Sequence, residues 1–100
     1  MVTGSERFHE LLRELGELHD QKQADYGSSS DPFANLRSAK LLGIEPWKAA
    51  LIRANDKMSR LQTFARTGTL NMEGVIDSFK DLAVYAIIMQ VLYEDELGGE

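Results

Sequence analysis

The sequence contains no cysteine and no long hydrophobic run. Without cysteine the chain cannot form disulfides or thiolate zinc sites, so any bound metal must be held by oxygen or imidazole ligands. The longest strongly apolar run has about half of the roughly 20 residues that span a bilayer, which excludes a transmembrane helix. Residues 1–5 have neither the basic region nor the apolar core of a signal peptide. We therefore expect a cytoplasmic protein without membrane contact.

The chain also lacks an excess of positive charge, since its formal net charge is −5 at pH 7. It offers no basic face to a nucleic-acid duplex, which excludes that class of partner. Free nucleotides remain possible ligands because a metal ion can neutralise their phosphates locally. The length of 100 residues predicts a single domain, 1–100, of which a monomer would bury only about 60–65% of the unfolded surface. The small size therefore favours an oligomer.

Hydrophobic residues recur at helical spacing, while alternating β-branched runs and internal repeats are absent. This pattern predicts an all-α protein built as a four-helix bundle. A capping-box spacing from Thr3 to Glu6 begins the first helix, and Phe33, Leu36 and Leu41 are the expected buried residues of the second. Cap and proline signals predict four helices. The first spans about 5–24, and the second spans 32–42 after an Asp31 cap. The third spans 46–67 before Gly68, and the fourth spans 72–97 after an Asn71 cap.

The fourth predicted helix carries three acids in one column, Glu73, Asp77 and Asp81, each four residues after the last. The same stripe continues into a region from Leu82 to Leu92 that is apolar almost all the way round. The other helices of one chain cannot cover so wide a surface, so we expect a homo-oligomer, at least a dimer. Carboxylates beside such a region need a metal ion, a facing basic residue or a proton as compensation.

The third predicted helix carries a mixed charged cluster beside its apolar stripe, formed by Arg53, Asp56, Lys57 and Arg60. Because the connection at 69–70 is short, helices three and four should pack antiparallel, with this cluster opposite the acids of helix four. One interpretation is a structural salt-bridge network, with pairs such as Asp56–Lys80 or Arg60–Asp77.

The other interpretation of the same cluster is a magnesium site. Carboxylates from two helices are ligands that Mg²⁺ uses together with water and substrate phosphates. The cations of helix three would then bind those phosphates. Spacing alone leaves both interpretations open.

A second group of candidates lies at the end of the first helix, formed by His19, Lys22, Asp25 and Tyr26. Lys22 and Tyr26 share a helix face, which would place a cation and an aromatic ring at the mouth of the bundle. The loop 27–31 is rich in small polar residues and is predicted to be mobile and able to close over a ligand. A solvated helix end, with Tyr26 packed on the core and His19 exposed, explains the same residues without a ligand.

Four short motifs follow one another along the chain: K-x-x-D-Y-G at 22–27, P-F-x-N at 32–35, R-x-x-D-K-x-x-R at 53–60 and D-x-x-x-D-L-A-x-Y at 77–85. As an ordered set they resemble the small phage and bacterial proteins of the nucleotide modification associated domain type. These look like relatives of the MazG-like all-α nucleoside triphosphate pyrophosphohydrolases. The resemblance covers roughly 22–93.

This resemblance implies a MazG-like bundle, assembled as a dimer or tetramer, that uses Mg²⁺ to split a nucleoside or deoxynucleoside triphosphate into monophosphate and pyrophosphate. It assigns Asp56, Asp77 and Asp81 as catalytic and metal-binding acids, with Asp25 or Glu73 as a further ligand. The expected substrate-binding residues are Lys22, Asp25, Tyr26, Asn35, Arg53, Lys57 and Arg60. The setting would be phage nucleotide metabolism, in the host cytoplasm. A function of another class, a non-catalytic helical module that binds a nucleotide or a protein, stays open.

Overall fold

A computed structural model describes the backbone of residues 3–26, 33–70 and 72–98 and the side chains of 3–21, 33–70 and 74–98. Apart from short connections, this part of the chain is helical and contains no strand, which confirms the predicted all-α class. The helices are α1 (Gly4–Tyr26), α2 (Ala34–Arg37), which continues as a 3₁₀ helix (Ser38–Leu42), α3 (Pro46–Thr67) and α4 (Met72–Gly98). The chain divides into two compact units, Met1–Pro32 and Phe33–Glu100.

The first unit contains α1, and its N-terminus has the predicted capping box. The amide of Glu6 donates to the Thr3 hydroxyl oxygen at 3.0 Å, and the amide of Thr3 donates to the Glu6 carboxylate at 3.4 Å. These bonds satisfy two of the amides that a helix start leaves without an intrahelical acceptor. Arg7 adds contacts one and two turns further on, at 2.9 Å to Glu10 and 3.4 Å to Glu14.

The second unit begins with α2 and its 3₁₀ continuation, which differ from the prediction at one end. Leu36 is buried as expected and Phe33 is only half-buried, whereas Leu41 is 88% exposed, so its predicted burial is wrong. Leu41 lies five residues after Leu36, and at about 100–120° per residue this places it at least about 120° around the helix from Leu36. Gly43 ends the segment in the left-handed region with φ of 74°, a conformation that glycine adopts without strain. The predicted caps Asp31 and Pro32 lie outside the described residues.

The rest of the second unit is a hairpin of α3 and α4, which pack along their lengths. Pro46 occupies the first turn of α3, and Gly68, with φ of 71°, ends that helix as predicted. The short connection that follows forces the two helices to run antiparallel. The Trp47 ring accordingly meets the Tyr93 ring edge-on at 5.8 Å, since both residues lie far from the connection.

Small side chains form part of the contact surface of the hairpin. Ala50 and Ala54 are buried one turn apart on α3, and Ser78 is buried on α4. The Ser78 hydroxyl donates to the Gly74 carbonyl oxygen at 2.7 Å, which satisfies a polar group that burial would otherwise leave unpaired. Ala50 also joins a core cluster with Leu36 and Leu92, packed around by Phe33, Trp47, Ala49, Ile88 and Met89.

The start of α3 is held by the carboxylate of Glu45. This group accepts a hydrogen bond from the Trp47 indole nitrogen at 2.7 Å and another from the Lys48 ammonium at 3.3 Å. The indole bond first, and Lys48 second, lower the pKa of Glu45 below its ordinary value of 4.5. Because Trp47 packs on Tyr93, the ionised carboxylate supports the contact between the beginning of α3 and the end of α4.

We expect Ala50→Leu to lower the free energy of unfolding by about 1–3 kcal/mol, because the added atoms have no space at a fully buried position. Ala65→Leu is the matched control, since Ala65 is exposed on the same helix and its change should stay within about 0.5 kcal/mol. Urea unfolding of the three proteins measures both effects. Equal losses in the two variants would contradict the close packing.

We expect Glu45→Gln to lower the melting temperature at pH 7, and we expect this difference to shrink as the pH falls below 4.5. A carboxyl whose folded-state pKa is lowered contributes stability above its ordinary pKa of 4.5, and this contribution disappears as pH falls through the folded-state value. The protonated glutamate and the glutamine that replaces it are then nearly equivalent. Thermal melts of both proteins across this range provide the measurement, and a constant difference between pH 7 and pH 3 would contradict the role of the charge.

Candidate functional site

An ion pair lies midway along the hairpin and joins the two charged motifs. The Lys57 Nζ on α3 lies 3.1 Å from the Asp81 Oδ2 on α4, with the side chains 24% and 39% exposed. Partial burial strengthens the attraction relative to a fully exposed pair, because less water screens the charges. Among the described residues this is the ion pair that links α3 to α4.

The other predicted charges of the hairpin surround this pair. Arg53 and Arg60 lie about one turn before and after Lys57, so their guanidinium groups share its side of α3, and both are exposed. Asp77 lies one turn before Asp81 and is also exposed. The ion pair therefore sits in a row of exposed charges, with cations on one helix and carboxylates on the other.

The interpretation as a salt-bridge network named other ion pairs than the one between Lys57 and Asp81. Neither Asp56–Lys80 nor Arg60–Asp77 forms an ion pair in the described structure. Lys80 precedes Asp81 by one residue and so projects about 100° away from it around α4. That rotation takes the Lys80 ammonium away from α3, while the exposed Asp56 turns away from the contact between the helices.

The three predicted metal-binding acids are not gathered around one point. In the part of the chain whose side chains are described, no group of three or more His, Asp and Glu residues could hold a metal ion together. Asp81 is engaged by Lys57, and Asp56 and Asp77 point into solvent. These carboxylates fit a Mg²⁺ ion that arrives with the substrate, because such an ion is bound by one or two carboxylates together with the phosphates of the substrate. Magnesium binding stays a prediction.

The remaining predicted site residues belong to the first unit, to α2 or, in the case of Glu73, to the first turn of α4. The side chains of Lys22, Asp25 and Tyr26, the loop 27–31 and the side chain of Glu73 lie outside the described residues, while His19 is half-buried rather than exposed. Asn35 is exposed on α2, and its backbone carbonyl accepts a bond from the Ser38 hydroxyl at 2.6 Å.

Two contacts at the far end of the hairpin were not found from the sequence. Arg37 Nη2 lies 2.6 Å from the Asp95 Oδ2, which ties α2 to the last turns of α4. The carboxylate of Glu45 binds the Trp47 indole within the first turn of α3. The contact of Glu45 with Trp47 had a local signal in the sequence, since an acid precedes an indole donor by two residues. The contact of Arg37 with Asp95 had none, because these residues are far apart in the chain.

Comparison of the chain with models of protein families, with curated proteins and with solved structures found no match. The resemblance to the MazG-like group therefore stays a prediction from the four motifs. None of the helices in the described ranges combines the length and the apolar content that crossing a bilayer requires.

In metal-free buffer we expect Asp81→Asn to destabilise the protein by up to about 1 kcal/mol, because Lys57 loses its counter-charge in a half-buried position. Asp77→Asn is the control, since Asp77 is exposed and makes no ion pair in the described structure. A double-mutant cycle with Lys57→Met separates the pair from other effects of each substitution. An Asp81→Asn variant as stable as the wild type would contradict the importance of the ion pair.

Proposed function

We propose that the chain is a Mg²⁺-dependent nucleoside triphosphate pyrophosphohydrolase that releases the monophosphate and pyrophosphate in phage or bacterial nucleotide metabolism. The observation that carries the proposal is the 3.1 Å contact between Lys57 and Asp81. It joins the R-x-x-D-K-x-x-R segment of α3 to the D-x-x-x-D-L-A-x-Y segment of α4, the two motifs that carry the charged part of the family resemblance.

The cations of α3 would bind the phosphates of the substrate. Arg53 and Arg60 are exposed on either side of Lys57, and a guanidinium binds two phosphate oxygens at once in a planar fork. Lys57 would contribute a compact charge. When a triphosphate arrives, its oxygens would take the place of the Asp81 carboxylate as the partner of the Lys57 ammonium.

This exchange would free Asp81 for a second role. Its carboxylate, with that of Asp77 one turn away, would hold the Mg²⁺ that accompanies the triphosphate. The ion supplies charge neutralisation and lowers the pKa of a nearby water. An exposed carboxylate that is not a ligand, such as Asp56, would accept the proton of the water that attacks the α-phosphorus.

The remaining parts of the proposal concern assembly and the nucleoside. Lys22, Asp25, Tyr26 and Asn35 would contact the base or the sugar. The four helices would form a MazG-like bundle, active as a homo-oligomer in the cytoplasm. What supports the oligomer is the exposed apolar surface of α4, on which Phe79 and Ile87 are each 53% exposed.

A non-catalytic helical module that binds a nucleotide or a protein is the second candidate. Two observations favour it: Lys57 already neutralises Asp81, and the described side chains contain no three-acid group for a metal. In this case the arginines would bind phosphates without hydrolysis, and the ion pair would serve stability alone.

The test is a screen of nucleoside and deoxynucleoside triphosphates for pyrophosphate release with Mg²⁺ and with EDTA. We expect release with at least one of them, abolished by EDTA and reduced at least about 100-fold by Asp81→Asn. Asp95→Asn is the control, because Asp95 lies on the same helix but pairs with Arg37 outside the site. Thermal stabilisation by a nucleotide without turnover would select a nucleotide-binding module. The absence of both responses would contradict hydrolysis and nucleotide binding alike.

A further inference from the structure

Helix α4 has a second apolar face beside its contact with α3, and Tyr93, whose ring meets Trp47, lies at the border between the two. Its residues are exposed or half-buried and follow one another at alternating spacings of three and four: Phe79, Ala83, Ala86, Gln90, Tyr93 and Leu97. Such alternation is the pattern of a seam along which two helices pack side by side. We call this row the α4 seam.

The α4 seam is too continuous to be a set of isolated surface residues. Phe79 is 53% exposed and Leu97 is 58% exposed, at the two ends of the row. At about 1.5 Å per residue, the row runs for roughly 27 Å along the helix. Contiguous apolar surfaces of this kind mark interaction sites.

The charges beside the seam identify what covers it. Lys80 and Glu94 occupy equivalent positions two heptads apart on one edge, with Ile87 midway between them. Lys80 is half-buried and has no carboxylate partner among the described residues. Glu94 is exposed and accepts only a long bond of 3.4 Å from the Gln90 amide. A second α4 seam that runs in the opposite direction would place an opposite charge beside each of these two side chains.

We propose that the partner on this face is a second copy of the chain, packed antiparallel along α4 about a two-fold axis close to Ile87. In this arrangement Lys80 lies beside the partner's Glu94, and Glu94 lies beside the partner's Lys80, so both pairs form at once. A parallel arrangement would instead bring like charges to the same level. The placement of Lys80 and Glu94 along this edge therefore favours the antiparallel dimer over the parallel one.

The side-chain sizes along the seam fit the same register. Antiparallel packing sets Phe79 against the partner's Leu97 at each end of the seam. Further in, Ala83 meets the partner's Tyr93, and Ala86 meets the partner's Gln90. Each large or polar side chain thus faces an apolar partner or a small one, as helices packed at close distance require. The single polar layer at Gln90 would restrict sliding to other registers.

The first experiment places one cysteine in a chain that has none. Ile87→Cys brings two thiols together at the two-fold axis, so mild oxidation should convert most of the protein into a covalent dimer. Gln62→Cys, exposed on α3, is the control and should remain largely uncross-linked. Equal cross-linking of the two variants would overturn the proposal. So would a monomeric Ile87→Cys protein whose thiol resists labelling, since another part of the same chain would then cover the face.

The second experiment reverses the charges and measures mass by light scattering against the 11.2 kDa of one chain. Lys80→Glu and Glu94→Lys should each weaken the dimer about tenfold, because each sets like charges side by side twice. Mixing the two variants, or combining both changes in one chain, should restore it. A monomeric wild-type protein would overturn the proposal, and so would a dimer whose affinity does not change in these variants. Neither readout depends on nucleotide hydrolysis, so failure here leaves the proposed activity untouched.

Discussion

Close packing of α3 against α4 is the constraint on which the second unit depends. Ala50 and Ala54 on one helix and Ser78 on the other let the two backbones approach, and Ser78 satisfies its own hydroxyl within α4. The same packing places the Lys57 ammonium beside the Asp81 carboxylate midway along the hairpin. The Trp47–Tyr93 contact depends on the same register, and so does the cluster that covers Leu36.

The boundaries of the helices were predictable because local chemistry sets them. Thr3 and Glu6 cap α1, while Pro46 begins α3 and Gly68 ends it, each through interactions within a few residues. Leu41 was predicted to be buried because it is apolar, but at 88% exposure no other element covers it. The burial of single side chains thus depends on winding and tertiary packing that spacing does not determine.

The candidate site was predictable as a region but not as a set of contacts. The short connection after α3 was enough to bring its charged cluster opposite the acids of α4. Which cation meets which acid depends on the rotation of each helix about its own axis. That rotation turns Lys57 into the interface and Lys80 away from it. The same rotation leaves the α4 seam largely uncovered by α3. The candidate site and the proposed dimer surface therefore both depend on how α3 packs against α4.

We propose that Lys57 exchanges its carboxylate partner for the phosphates of a nucleotide, and calorimetric titration with a non-hydrolysable triphosphate is the test. We expect binding that requires Mg²⁺ and that weakens at least about tenfold in Lys57→Met, since a charged partner is lost. Lys48→Met, which removes an exposed lysine of the same helix, should bind as the wild type does. Wild-type protein that binds no triphosphate, or a Lys57→Met variant that binds it equally well, would contradict the proposed exchange at Lys57.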